Sequence, residues 1–257
     1  IKKKQCNCVY KLAKNSNPNV VKLLQKKIKD GFTDSDSEES VWFSLSQNPN
    51  VMKILQDNQE QIIWCELSKN SNLDAIELLK NRIQYENNLS REEYYNLEER
   101  YKIDWNKLLQ NPNAIDLLKE NPKKINFNYL SANPNAIDLL KKQIKYENTL
   151  DANEYKVLKN KINWEYLSAN PNAIELLRER IEYEKSNDSN DSNDSTDYDY
   201  INRINWKVLS ANPNAIDLLK ERIKYEHKLT QKQYNKLKLK NKINWFLLYS
   251  NPNIFTP

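Results

Sequence analysis

The chain has 257 residues, a formal net charge of +5 at pH 7 and one glycine, Gly31. A single glycine excludes the phosphate-cradling loops of nucleotide-binding enzymes and argues against a fold built on tight β-turns. No apolar run approaches the roughly 20 residues that span a bilayer, and the lysines at the start are not followed by the apolar stretch of a signal peptide.

Read from the start, the chain repeats itself, and self-similarity at a fixed period is the signature of stacked repeats. An asparagine opens the second half of a unit at Asn17, Asn48, Asn72, Asn111, Asn133, Asn170, Asn212 and Asn251, and the pair Asn111 and Asn133 sets a basic period of 22 residues. All six tryptophans, Trp42, Trp64, Trp105, Trp164, Trp206 and Trp245, hold one place in the unit, which Phe127 fills once, and their indole rings are expected to be buried at the seams between units. The first unit, Val9 to Ile28, lacks the tryptophan and carries two extra residues ahead of Asn17, so 1–30 reads as an atypical N-terminal capping unit. An acidic link over 31–40 leads into repeats over 41–185. Trp42 to Leu79 holds two units, the second with a two-residue expansion, Asn70 and Ser71, ahead of Asn72.

Each unit reads as two short helices. Asp104, Asn126, Asn163, Asn205 and Asn244 suit the N-cap of the first, flanked by Ile103 and Leu108, or their counterparts, as a hydrophobic staple. The repeated Asn-Pro suits the N-cap and first position of the second helix. On that reading, loss of Asn133 costs about 1 kcal/mol, the usual value of a cap. An apolar stripe such as Ala136, Ile137, Leu139, Leu140 and Ile144 then offers itself for packing from two sides.

Further along, spacings of 37 to 42 residues mark insertions. Three share a pattern, Leu89-Ser90 to Glu93-Tyr94, Leu150-Asp151 to Glu154-Tyr155 and Leu229-Thr230 to Gln233-Tyr234, which predicts an extra helix with a capping box. The fourth, over 186–200, is a polar low-complexity run expected to project as a loop; it lacks the glycine and terminal glutamate of an EF-hand. C-terminal repeats fill 201–257. Helices this short are marginal alone and need neighbours. The expected fold is therefore all-α, one continuous α-solenoid over 1–257 with several units expanded to three helices.

The alternation of Ile-Asn-Trp-x-x-Leu-Ser with Asn-Pro-Asn-Ala-Ile-Asp-Leu-Leu, fullest at Ile125 to Leu140, Ile162 to Leu177 and Ile204 to Leu219, resembles the short repeat proteins of giant nucleocytoplasmic DNA viruses of the mimivirus kind. That resemblance implies a viral source and a repeat fold, and carries no active-site residue. The absence of an initiator methionine is expected of a fragment or a processed chain.

Functionally the residues point to binding. Cys6, Cys8 and Cys65 with the lone His227 make no zinc set and read as reduced, intracellular thiols; no catalytic residue, cofactor or metal is expected. The acids Asp116, Asp138, Glu175 and Asp217 read as a wet helix face. The expectation is a non-enzymatic scaffold binding viral or host protein in the host cytoplasm or viral factory, with a structural part of the virion as the alternative. Tyr85, Tyr95, Tyr146, Tyr183 and Tyr225 are candidate contacts, since tyrosine is favoured at interfaces. Lys232, Lys236, Lys238 and Lys240 form a basic edge, the basis for nucleic-acid binding as a further alternative.

Overall fold

The computed structural model describes residues 9–15, 17–31, 38–187 and 203–254. These are helical, with no strand among the described residues. The chain divides into two compact units, Ile1–Lys124 and Ile125–Pro257.

In the first unit the tryptophan-bearing helices are Glu38–Gln47, Trp64–Leu67 and Trp105–Gln110, preceded by Val9–Ala13 at the same place. They alternate with Val21–Lys29, Met52–Asp57, Leu73–Asn88 and Ile115–Glu120. The second unit repeats the scheme with Phe127–Leu130, Trp164–Ala169, Trp206–Leu209 and Trp245–Tyr249 alternating with Ile137–Glu147, Ile174–Asn187 and Ile216–Lys228. The first-half caps form as the spacing predicts: Asp104, Asn163, Asn205 and Asn244 accept from Lys107, Tyr166, Val208 and Leu247 N–H at 3.0 to 3.1 Å. The core comes from one apolar set per repeat. Leu108, Leu167 and Leu209 of the first helices, Ala114, Ala173 and Ala215, and Leu118, Leu177 and Leu219 of the second are wholly buried. Each leucine so buried contributes roughly 1.5 to 3 kcal/mol, and the alanines leave room for helices to approach closely.

The seam between neighbouring repeats is polar as well as apolar. Within the first unit, Nδ2 of Asn48 donates to the carbonyls of Ala13 (2.7 Å) and Asn15 (2.9 Å) in the preceding repeat. Asn70 donates in the same way to Ser46 and Asn48, and Asn111 to Ser68 and Asn70. Within the second unit Asn170 reaches Ser131 and Asn133, Asn212 reaches Ser168 and Asn170, and Asn251 reaches Ser210 and Asn212. The other end of each amide accepts the N–H two residues on, as Asn212 Oδ1 does from Asn214 at 3.0 Å. All of these asparagines are buried. A side-chain amide has two donors and an acceptor, so one asparagine closes its own turn and ties its repeat to the one before. A second ladder runs beside it: Asn72, Asn113, Asn172, Asn214 and Asn253 donate to Pro49, Ser71, Pro134, Pro171 and Pro213 carbonyls.

This geometry corrects the sequence reading in three places. Asn70 and Asn15, not Asn72 and Asn17, stand at the ladder position. Asn72 belongs to the second ladder, Ser71 takes the place that proline holds elsewhere, and there is no two-residue expansion. The Asn-Pro step does not start the second helix directly. It caps a single turn, 3-10 in Pro112–Ala114, and the α-helices begin at Ile115, Ile137 and Ile216 behind Ala114, Ala136 and Ala215, which make no side-chain cap. Finally, Trp42, Trp64, Trp164 and Trp206 are buried, but Trp105 and Phe127 are half-buried and Trp245 is 40 % exposed.

Candidate interaction surface

The insertions are mounted on a common frame. Each long second helix ends in Arg82-Ile-Gln-Tyr85-Glu86 or its counterparts, Gln143 to Glu147, Arg180 to Glu184 and Arg222 to Glu226. The glutamate accepts the backbone N–H with which the chain returns to the next repeat. Glu86 takes it from Ile103 at 2.8 Å, Glu147 from Ile162 at 2.8 Å, Glu184 from Ile204 at 3.2 Å and Glu226 from Ile243 at 3.0 Å. One turn earlier on the helix, Arg82, Arg180 and Arg222 pair with these carboxylates at 3.5, 3.1 and 3.1 Å, and Gln143 donates to Glu147 at 3.0 Å. Arg82 also donates to the Tyr101 carbonyl and Arg222 to that of Asn241, holding the far end of the insertion.

Each guanidinium is layered between two rings. Arg82 lies 5.1 Å from the Trp64 centroid and 4.6 Å from Tyr85, Arg180 4.7 Å from Trp164 and 4.9 Å from Tyr183, and Arg222 4.8 Å from Trp206 and 4.7 Å from Tyr225. Cation–π contact stabilises such stacks more as they are desolvated. Burial pushes the carboxyls of Glu86, Glu147 and Glu184 above the usual range, and the returning N–H and the nearby cations offset only part of it.

On this frame sit the inserted helices Arg91–Asn96, Ala152–Val157 and Gln231–Lys236. All three carry the predicted capping boxes, Ser90 with Glu93, Asp151 with Glu154 and Thr230 with Gln233. Their tyrosines are covered by lysines of the returning segment: Lys102 is 5.1 Å from Tyr94, Lys161 4.4 Å from Tyr155 and Lys242 4.4 Å from Tyr234.

Tyr85, Tyr146, Tyr183 and Tyr225 are half exposed. Three of them give one ring face to an arginine, so each has a structural task as well as an open side. Tyr95 is 83 % exposed and is the most open of the five. Lys232, Lys236 and Lys238 are exposed. Lys240 corrects the sequence reading, for it is only 8 % exposed and does not belong to the basic edge. The 3-10 turn Leu239–Asn241 packs on the helix Trp206–Leu209, turning Lys240 inward and leaving Leu239 79 % exposed. Burial, with Lys238 beside it, lowers the Lys240 pKa to about 8.

Two features escaped the sequence reading. The Arg-to-Glu spacing of four residues was visible beside three of the four Ile-x-Tyr steps, with Gln143 in place of arginine at the other, and it is the i, i+4 pair that a helix brings together. The serines of Leu-Ser were visible too. Ser68, Ser131, Ser168 and Ser210 accept the N–H of Asp104, Asn163, Asn205 and Asn244 in the following repeat at 3.0 to 3.1 Å.

A cavity of about 450 Å³ opens in the second unit beside the helix Ala152–Val157, floored by Trp164 and walled by Glu147, Asp151, Arg180 and Tyr183. Its charged groups hold the protein together: Glu147 takes Ile162 N–H, Asp151 caps its helix and Arg180 pairs with Glu184. Cys65 is half-buried, its thiol pushed up by burial and by Glu66; Cys6 and Cys8 lie outside the described residues. So does the low-complexity run beyond Asn187. His227 is exposed near the end of the helix Ile216–Lys228. Among the described residues no three His, Cys, Asp or Glu side chains are grouped to hold a metal ion. No helix among them is long and apolar enough to cross a membrane. The chain matches no protein family, no curated protein and no solved structure.

Proposed function

We propose that the repeats stack into an α-solenoid and that the chain is a non-enzymatic scaffold for protein–protein interaction, working in the host cytoplasm or viral factory of a giant-virus infection. The observation that carries this reading is the division of labour within each expanded repeat. Buried asparagine and serine side chains, with arginine–glutamate pairs that are buried or half-buried, fix the backbone, while the outward positions of the insertions change from one repeat to the next. Stacked repeats of this kind present extended surfaces whose individuality lies in such positions. The viral setting is supported by the repeat motif alone.

The test is affinity capture with the tagged chain from infected-cell lysate after nuclease digestion. A scaffold retains specific proteins, and retains fewer when Tyr95 and Lys232 are replaced by alanine and glutamate. Capture that disappears with nuclease, or a turnover activity of the purified chain, overturns the reading.

A further inference from the structure

The first and third insertions align residue for residue, 90–103 against 230–243, and share every frame contact. Both have a capping box, a lysine over the tyrosine, an arginine on the far carbonyl and a glutamate on the returning isoleucine N–H. Their charges are opposed. The first holds Arg91, Arg100 and Lys102 against Glu92, Glu93, Glu98 and Glu99; the third holds Lys232, Lys236, Lys238, Lys240 and Lys242 and no carboxylate. Glu92 and Glu98 are reversed to Lys232 and Lys238. Glu93, the box partner, becomes Gln233, which keeps both hydrogen bonds of the cap and removes its charge. Upstream, Lys224 and Lys228 extend the exposed row, and the one acid among them, Glu226, is buried on Ile243 N–H. The frame does not ask for this charge, so its reason lies outside the fold.

We propose that the third insertion docks an acidic protein segment carrying an apolar side chain. This rests on the scaffold reading and names the partner of one surface. Lys224, Lys228, Lys232 and Lys236 supply the field, and Leu239, 79 % exposed where the first insertion has Glu99, supplies an apolar anchor three residues beyond Lys236 in the chain. A protein segment fits better than a nucleic acid. One face of Tyr234 is covered by Lys242 and one face of Tyr225 by Arg222, which restricts the stacking that single-stranded nucleic acid uses. An exposed leucine also has no phosphate to meet.

The test is fluorescence anisotropy of the full chain with two labelled probes of equal net charge, a Glu/Leu peptide and oligodeoxythymidine. The peptide binds more tightly, and Lys232→Glu with Lys236→Glu weakens it about tenfold, as reversal of steering charges does. Leu239→Ser weakens the peptide a few-fold and leaves the oligonucleotide unchanged. Lys232→Gln with Lys236→Gln, neutral and exposed, gives an intermediate loss and guards against misfolding of the reversed form. Tighter binding of the oligonucleotide, or peptide affinity indifferent to the lysines, overturns the assignment. Should the captured proteins of the preceding test persist while the peptide fails, this surface assignment falls and the scaffold reading stands.

Discussion

The insertions at 90–103 and 230–243 have the same backbone and opposite surfaces. The mount they share is buried or half-buried: Glu86 and Glu226 on the returning N–H, Arg82 and Arg222 layered between rings. The charges that reverse are exposed, from Glu92 to Lys232 and from Glu98 to Lys238. Desolvated groups lose heavily if a partner is removed, whereas exposed charges are screened by water and salt and contribute little to stability. The frame is therefore constrained and the surface is free to vary, which is the arrangement a set of differing docking sites requires.

The heaviest blow to both insertions is to the ladder on which they are mounted. Asn212→Ala leaves the carbonyl of Ser168 and the N–H of Asn214 without their partner, while the carbonyl of Asn170 keeps the Ala173 N–H at 3.2 Å. At about 1 to 3 kcal/mol for each buried group left unpaired, a loss of roughly 3 to 5 kcal/mol is expected in urea denaturation, well above the cap value that the sequence alone suggests. A loss near 1 kcal/mol would reduce these asparagines to caps.

Next is the latch. Glu86→Ala and Glu226→Ala each strand a buried N–H and take the carboxylate from an arginine that keeps only its carbonyl acceptor, and about 2 to 4 kcal/mol is expected for either. Near-equal losses in the two insertions, read from thermal unfolding of the two variants, are the sharpest evidence that one frame carries both charges.

The pH dependence separates them. Carboxyls raised by burial, as at Glu86, Glu147 and Glu184, bind protons more tightly folded than unfolded. Their contribution is full below the ordinary glutamate range and is lost as pH rises through the raised values, so these groups make the fold firmer on mild acidification. Glu86→Gln should flatten that slope in urea midpoints taken between neutral and mildly acid pH. Lys240 has the opposite sign. Its pKa is lowered to about 8, so its contribution is present at high pH and is lost as pH falls through that value. Lys240→Met should abolish the gain on going alkaline, read as urea midpoints that no longer rise between neutral and alkaline pH.

The smallest effect is the most diagnostic for function. Glu92→Lys with Glu98→Lys, or Lys232→Glu alone, should change unfolding free energy by no more than about 0.5 kcal/mol. A large change would mean that the surface charge serves the fold after all.

Much of this was legible in the residues. Tryptophan and Asn-Pro spacing mark the repeat and the helical class, and Ser90 with Glu93 marks the inserted helix. These are local signals, set by the chemistry of a few adjacent residues. Tracking proline misplaced Asn15 and Asn70, because Ser71 fills the proline position and only the partner carbonyls of Ser46 and Asn48 reveal which asparagine is on the ladder. Of the named contacts, Lys240 reads in sequence like its exposed neighbours and proves buried.

By itself, then, the sequence determined where the first and the inserted helices start, which face of each is apolar and how often the unit recurs, since caps, periodicity and rare residues act within a few positions of one another. Tertiary structure alone decided what each polar residue is for. Asn111 and Asn212 bind carbonyls more than forty residues away in sequence, and Glu226 holds the N–H of Ile243 across a whole insertion. Such partners are chosen by packing in space, where leaving a buried donor or acceptor unmet costs more than any local preference can supply.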